Sequence, residues 1–556
     1  MKIVIVGGVA GGASAAARAR RMSEDASIIV LEKGEYVSFA NCGLPYHIGG
    51  AIQSRQSLIL KTPEEFKARF NIDVRVRHEV NSVDPINKTV TVKILSTGNT
   101  YTEHWDRLLL STGAAPVIPS LPGIDNPGVF SLRNLGDMDA ILAWIKQHAV
   151  SHVTLVGGGF IGLEVMEALT EKGIRVTLLE RDEQVMEVVD PEMASALHKE
   201  IREHGVDLRL KTAMTQIQSY VNGLAVTLSS GENLLTGMVV LSLGINPENS
   251  LALQAGLTLG KRRGILVNAK MQTSSPDIYA VGDVVETPDL VFQESTLIPL
   301  AGPANRQGRI AADNMLDRHN EYRGSQGTAI CKVFSLSIGS CGASEKQLKT
   351  HGTRYEKIYL HGADHASYYP GASMISLKLL FDPDDGTIFG AQASGQNGVD
   401  KRIDVLAVAQ RAGLKVSDLE HLELTYAPPF NSARDVVNQA GMVATNVIKG
   451  DTAICHSSDI LHRDTDHQCL VDIRSPAELV RFGEYPEAIA IPLDTLRDNL
   501  DKLPKDKEIL IGCQSGLRGH VAFRILKAHG FRARNLSGGF MTWQAFVQTM
   551  NAYSKE

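Results

Sequence analysis

A chain of 556 residues far exceeds the roughly 250 to 300 that one hydrophobic core organises, so three or four domains are expected. Hydrophobic residues at 43% and charged residues at 21% are ordinary globular proportions, and a net charge of −6 supplies no basic field for a nucleic acid. Nothing reaches the run of about 18 apolar residues that a membrane helix needs, and the opening MKIVIVGGVAGG lacks the cationic stretch and cleavage site of a signal peptide. No membrane partner and a cytoplasmic location are expected. Six cysteines, at 42, 331, 341, 455, 469 and 513, are too sparse for a disulfide scaffold and lack the paired CxxC spacing of a zinc site. No metal is expected, and any working cysteine acts as a lone thiol.

In chain order, KIVIV at 2–6 predicts a short buried strand, GGVAGG at 7–12 a turn, and ASAAARARRM a helix. In such a turn Gly7, Gly8, Gly11 and Gly12 let the backbone approach a pyrophosphate, and the helix N-terminus adds amide donors. The next strand, SIIVLE, ends in Glu32, where a carboxylate can hold ribose hydroxyls. Val9 stands where GxGxxG has its middle glycine, so an ordinary tight turn remains an alternative. The loop YVSFANCGLPYHIGG at 36–50 holds one cysteine, Cys42. The unit then recurs at 153–180, where VTLVGGG precedes FIGLEVMEALTEKG and RVTLLE ends in Glu180. Here Gly157, Gly159 and Gly162 complete GxGxxG. Glu180 favours the free 2′-hydroxyl of NADH, while the adjacent Arg181 leaves NADPH open.

Two further segments resemble the two-dinucleotide disulfide reductases. TSSPDIYAVGDVVE at 273–286 resembles their second FAD signature, with Asp283 at the ribitol chain, and LLLSTGAAP at 108–116 resembles their crossover strand, with Thr112 and Gly113 at the turn. The resemblance implies an FAD-binding domain at 1–113 and 273–325, an NAD(P)H-binding domain at 114–272 and a dimerisation domain at 328–447. SFANCGLPY resembles the loop of coenzyme A disulfide reductases and of the related NADH oxidases and peroxidases, in which the sulfur cycles through a mixed disulfide or a sulfenic acid. Glutathione-reductase-like relatives have a second cysteine five positions on; here that position is His47. Since the thiolate is the nucleophile, the site is expected to lower the Cys42 pKa through nearby donors and flavin charge transfer.

The same family implies further roles. Arg18 and Arg21 on the first helix would meet the nucleotide phosphates of coenzyme A, although an arginine run that also includes Arg20 is equally an ordinary solvated helix face. Ser38 and Asn41 flank the cysteine. Tyr368 in ASYYPGA and Tyr426 in LTYAPPFNSARDVVN would reach from one subunit of a homodimer toward the sulfur site of the other and protonate a departing thiolate, the alternative being a pair of interface aromatics. Phe160 would stack over the flavin until nicotinamide displaces it, and Glu164 would face the hydride-transfer region.

Beyond NVIKGD the reductase pattern stops, and 452–556 suffices for one small α/β domain. CLVDIRSPAELVRFGEYPEAIAIPLD, then EILIGCQSGLRGHVAFRILKAHGF, then NLSGGFMTW resemble the rhodaneses. Their loop, here Cys513 to Arg518, turns backbone amides onto a thiolate or persulfide, and Arg518 adds charge. The CX5R loop of tyrosine phosphatases is one residue longer, so counting favours sulfur over phosphate. The other four cysteines are expected to be structural, and His365 and His520 draw mild attention as neighbours of the two sites.

The expected fold class is therefore α/β, with two Rossmann-type domains, an α+β dimerisation domain and a C-terminal rhodanese domain. The whole pattern resembles coenzyme A disulfide reductases fused to a rhodanese. It implies an FAD-dependent reductase that draws on NADH or NADPH and acts on small sulfur substrates: coenzyme A persulfide or disulfide, or polysulfide. Two rivals stand beside it. An NADH oxidase or peroxidase calls for a histidine near the first helix, and 13–21 contains none. A sulfur carrier would use the rhodanese alone.

Overall fold

The computed structural model describes residues 1–554 apart from 222, so the last two residues of the expected rhodanese span lie outside the described residues. The chain divides into two compact units, Met1–Asp182 with Gly205–Gly327 and Glu183–His204 with Thr328–Glu556.

In the first unit, apolar runs too short for helices become central strands of parallel sheets, buried on both faces. One sheet orders Ile278–Ala280, Arg107–Leu110, Lys2–Val6, Ser27–Glu32 and Asp73–Val76, all parallel. Ile3, Val4 and Ile5 at its centre have no exposed surface. A second sheet repeats the plan with Asp207–Arg209, Arg175–Leu179, His152–Val156, Met238–Leu241 and Val129–Ser131. Ala114–Pro116 pairs antiparallel with Ile245–Pro247 where the chain passes between the sheets.

The second turn shows why glycine is required. Gly157 has φ +107° and a side chain there would stand 2.4 Å from Ser242 O, while one on Gly162 would stand 2.0 Å from Gly157 O. Gly7 and Gly12 repeat this geometry in the first sheet, with 2.2 Å to Ser111 O and 1.9 Å to Gly7 O. Each helix thus starts pressed against its own turn, and its first amides face the end of the sheet, where nucleotides bind in such folds.

In the second unit, an antiparallel sheet orders Ala329–Val333, Leu336–Gly342, Ile388–Gly395, Met374–Phe381 and Glu356–Ala363. Helices Val399–Arg411 and Val436–Ile448 bury Ile403, Leu406, Val437 and Ala440 in its core. A parallel sheet follows, Ile454–Cys455, Ala533–Leu536, Glu508–Gly512, Gln468–Asp472 and Ile489–Ala490. The α/β class with two dinucleotide-type sheets is thus the one expected. No helix among the described residues is long and apolar enough to cross a membrane.

Gly162→Ala is expected to lower the unfolding midpoint, at a cost of about 1–3 kcal/mol from overpacking against the Gly157 carbonyl. Gly159→Ala is its control, because a side chain at Gly159 meets nothing within 4 Å. Calorimetric scans of both variants check this, and equal midpoints would refute it.

Candidate active site

Cys42 sits in the short turn Asn41–Gly43, directly before the helix Leu44–Gly49. The loop is tied to the first glycine turn by Ser38 N donating to Gly8 O at 2.9 Å, with Ser38 at φ +48°. Asn41 Oδ1 accepts from Cys42 N at 3.1 Å and lies 3.8 Å from Sγ. His47 is engaged with Ile52 O at 2.6 Å, leaving Cys42 alone in the loop. Glu164, on the helix Phe160–Glu171, accepts from Tyr46 OH at 3.2 Å and, with Asp283, acts electrostatically on the thiol.

The expectation of a lowered Cys42 pKa is not met by the protein groups. Burial of the thiol raises it first, and the Glu164 and Asp283 carboxylates raise it further, although the residue itself is exposed. Both acids are themselves pushed up by burial. The physical reason is that the charges reaching the sulfur are anionic.

The two acids at the strand ends do the same work. Glu32 accepts from Gly8 N at 2.8 Å and Gly34 N at 2.7 Å, and Glu180 accepts from Gly158 N at 2.7 Å and Asp182 N at 2.9 Å. Each carboxylate shapes its own glycine turn and keeps lone pairs for ribose hydroxyls. Thr112 Oγ1 donates to Glu248 O at 2.7 Å, and Gly113 O accepts from Glu248 N at 2.9 Å, which pins the crossover. Asp283 is half-buried and makes no hydrogen bond or ion pair with any described residue. Such an orphaned carboxyl beside a glycine turn open to phosphate fits a hydroxyl-bearing dinucleotide such as FAD. Phe160, half-buried, opens the second helix above the space left free at Gly159.

On the helix Ala10–Met22, Arg18 pairs with Asp313 through Nε at 2.7 Å and Nη2 at 3.2 Å. Nη1 takes no part in that pair. Arg21 is exposed, whereas Arg20 is buried on the carbonyls of Phe70 and Asn71 and serves packing.

In the second unit the structure brings Tyr368 and Tyr426 together, hydroxyl to hydroxyl at 3.0 Å, although 58 residues separate them. Their bond raises the Tyr368 pKa. What holds both loops is Arg402, unforeseen from the sequence. It is 1% exposed and donates to Asp364 O at 2.6 Å and Asn431 Oδ1 at 3.0 Å while pairing with Asp435 at 2.9 Å. Asn431 also donates to Thr425 O at 3.0 Å, next to Tyr426. A cleft of about 270 Å³ lies beside Tyr426, lined by Lys401, Thr425, Ala427 and Phe430. His365 pairs with Asp364 at 2.8 Å and belongs to this scaffold.

Cys513 ends the strand Glu508–Gly512 and is buried. Gly516 N donates to its Sγ at 3.0 Å. Burial holds the thiol above its ordinary value, and the amides of Gly519, Gly516 and Ser515, then the Arg518 charge, offset only part of that rise. Arg518 is held by Glu478 at 2.5 and 2.8 Å, which brings that carboxylate down to about 2. Beneath the loop, Arg474 pairs with Asp472 at 2.7 Å and stacks 3.9 Å from the Phe540 ring, and Tyr485 OH donates to Cys513 O at 3.1 Å. His520 bonds to Thr452 at the domain's start. Glu478 was legible as half of a capping box with Ser475, but its grip on Arg518 was not. The other four cysteines all lie on strands.

Three acids, Asp190, Glu192 and Glu345, converge at ligand spacing. The Lys378 ammonium fills their centre at 2.8, 2.5 and 2.8 Å, which makes the cluster an ion-pair network.

Paired glycine turns, a lone cysteine and a second thiol in an amide cradle define a two-dinucleotide reductase joined to a sulfurtransferase-type module. The chain belongs to the pyridine nucleotide-disulphide oxidoreductase family, which residues 1–308 match. Residues 328–436 match that family's dimerisation domain, and 458–546 match the rhodanese-like domain. The chain is 34% identical over 447 residues to the coenzyme A disulfide reductase of Staphylococcus haemolyticus, covering 80% of this chain and 100% of that one. Among solved structures, the reduced CoADR-RHD of Bacillus anthracis is similar with 47% identity, a TM-score of 0.96 and 98% of each chain covered. The NAD-dependent persulfide reductase of A. fulgidus is similar with 36% identity and a TM-score of 0.91, covering 98% of this chain and 100% of that one.

Two measurements check the site. Alkylation at the Cys42 peptide of flavin-free protein is expected to rise only above the pH of an ordinary thiol, because the raised pKa keeps Cys42 protonated below it. A midpoint at or below the ordinary thiol value would contradict this. Arg402→Leu is expected to cost about 3–5 kcal/mol by stranding Asp435, and adding Asp435→Asn should restore part of that. Denaturant titration of the single and double variants reads the coupling, and additive losses would refute it.

Proposed function

We propose that the chain is an FAD-dependent NAD(P)H:persulfide, polysulfide and coenzyme A disulfide reductase working through one cysteine. The observation that carries this is Cys42, exposed, without a second thiol in its loop, and tied to a glycine turn suited to a dinucleotide. We assign 1–113 and 273–325 to FAD, 114–272 to NAD(P)H, 328–447 to dimerisation and 452–556 to the rhodanese, and place the enzyme in the cytoplasm. Gly7, Gly8, Gly11, Gly12, Glu32, Thr112, Gly113 and Asp283 would hold the flavin. Gly157, Gly159, Phe160, Gly162, Glu164 and Glu180 would hold or face the nicotinamide nucleotide.

When bound, the flavin passes to sulfur the two electrons that it takes from NADH or NADPH. Cys42 thiolate attacks one sulfur of the substrate, a new S–S bond forms, and the other sulfur leaves with the bonding pair as thiolate or hydrosulfide. In a homodimer, Tyr368 and Tyr426 of one subunit would give that anion a proton at the Cys42 of the other. Two electrons then split the mixed disulfide and return Cys42 to thiolate. Arg18 through its free Nη1, with Arg21, Ser38 and Asn41, would hold coenzyme A. Cys513 would take sulfane sulfur from a donor, in a cradle that Arg518 closes.

Anaerobic NADH consumption with coenzyme A disulfide, coenzyme A persulfide and polysulfide, with hydrosulfide measured, tests the reading. Cys42→Ser is expected to keep FAD and its reduction by NADH yet lose turnover. Cys513→Ser should keep reduction of preformed coenzyme A persulfide and lose most turnover that starts from a sulfane donor plus free coenzyme A. Parental turnover in Cys42→Ser would overturn the central claim, and equal loss with both substrates in Cys513→Ser would overturn the division of labour.

A further inference from the structure

Among the described residues, Lys401 is the one cation lining the cleft beside Tyr426. It stands near the start of the helix Val399–Arg411, half-buried, and makes no hydrogen bond or ion pair with any described residue. The charged neighbours that act on it are Arg402 and Asp435, and these two are spent on each other at 2.9 Å. Burial and Arg402 lower its pKa, as befits an ammonium that lacks a counter-charge. A half-desolvated cation without a partner is costly unless an anion comes to it.

The hydroxyl pair beside it narrows the choice of anion. Between Tyr368 and Tyr426 one hydroxyl donates to the other, so only one proton of the two is left to point elsewhere. A single proton and a single point charge suit an anion whose charge rests on one atom. A phosphate, with several oxygens to satisfy, favours the planar fork of an arginine. The geometry points to Lys401 as the counter-charge for the sulfur anion released from the substrate, a thiolate or a hydrosulfide, in a subsite completed by the Tyr368–Tyr426 pair. This rests on the functional reading above. In the step concerned, Cys42 sulfur bonds to one substrate sulfur, the old S–S bond breaks, and its electron pair leaves on the second sulfur. Lys401 balances the charge of that anion until the free phenol proton passes to it, and then that of the phenolate until a proton from solvent restores the hydroxyl. The electrons for the next turnover come from NADH.

The test uses the full-length holoenzyme reduced with NADH and then mixed rapidly, without oxygen, with coenzyme A disulfide or a short polysulfide. Lys401→Met is expected to slow the limiting rate of re-oxidation by about 100-fold with both substrates, the size of effect seen when one charge-stabilising donor is removed. Reduction by NADH should be unchanged, and Lys401→Arg should recover most of the rate. A parental re-oxidation rate in Lys401→Met, where Tyr426→Phe is slow, would overturn the inference and leave the functional reading standing. A loss confined to apparent affinity for coenzyme A disulfide, with polysulfide untouched, would overturn it in favour of a phosphate contact. If the parent enzyme is re-oxidised by neither substrate, it is the functional reading that fails.

Discussion

The Arg402 guanidinium, shielded from water, is the constraint on which the tyrosine end of the second unit depends. A buried cation must be paired and hydrogen-bonded, and besides Gly398 O in its own helix cap three groups from other stretches of chain satisfy this one. Asp364 opens the Tyr368 loop, Asn431 closes the Tyr426 loop, and Asp435 caps the helix Val436–Ile448 through Val437 N at 2.8 Å. The electrostatic demand of one side chain therefore sets the 3.0 Å approach of two exposed phenols. Tyr368 is 74% exposed and Tyr426 is 50% exposed, so packing alone would leave both free to move.

What the sequence displays and what it hides follow from the range of each interaction. The glycine turns are legible because their requirement is local: a positive φ and a carbonyl within five residues leave no room for a side chain at Gly157 and Gly162. The lone thiol is legible because its missing partner has a fixed position, filled by His47. Arg402 and Lys378 read as ordinary charges on a helix and a strand, because their partners lie tens to hundreds of residues away. The rise that the protein groups impose on the Cys42 pKa is hidden for the same reason. Glu164 and Asp283 are remote in sequence, and their sign decides the outcome.

The rhodanese-type module does not hang from its linker. Tyr359 N donates to Ser537 Oγ at 3.0 Å, His361 contacts Thr542 Oγ1 at 2.8 Å, and His456 pairs with Glu356 at 3.0 Å. Ser537 and Thr542 flank the start of the last helix, where Phe540 N donates to Cys513 O at 2.7 Å. The edge strand Glu356–Ala363 thus braces the segment that supports the cysteine loop. A thiol fixed in this way cannot swing.

Burial raises the pKa of both cysteines, but the charged and polar groups around them differ in sign. At Cys513 three backbone amides and a guanidinium oppose the cost of burial, although burial still holds the thiol above its ordinary value. At Cys42 both neighbouring charges are carboxylates, which add to that cost. Left to the protein, Cys42 stays a thiol. Its nucleophilic form has to be favoured by whatever occupies the adjoining dinucleotide site, which couples sulfur attack to a loaded cofactor. An enzyme that splits persulfides gains from that coupling, since a permanently ionised and exposed cysteine would collect sulfane sulfur with no electrons at hand to release it.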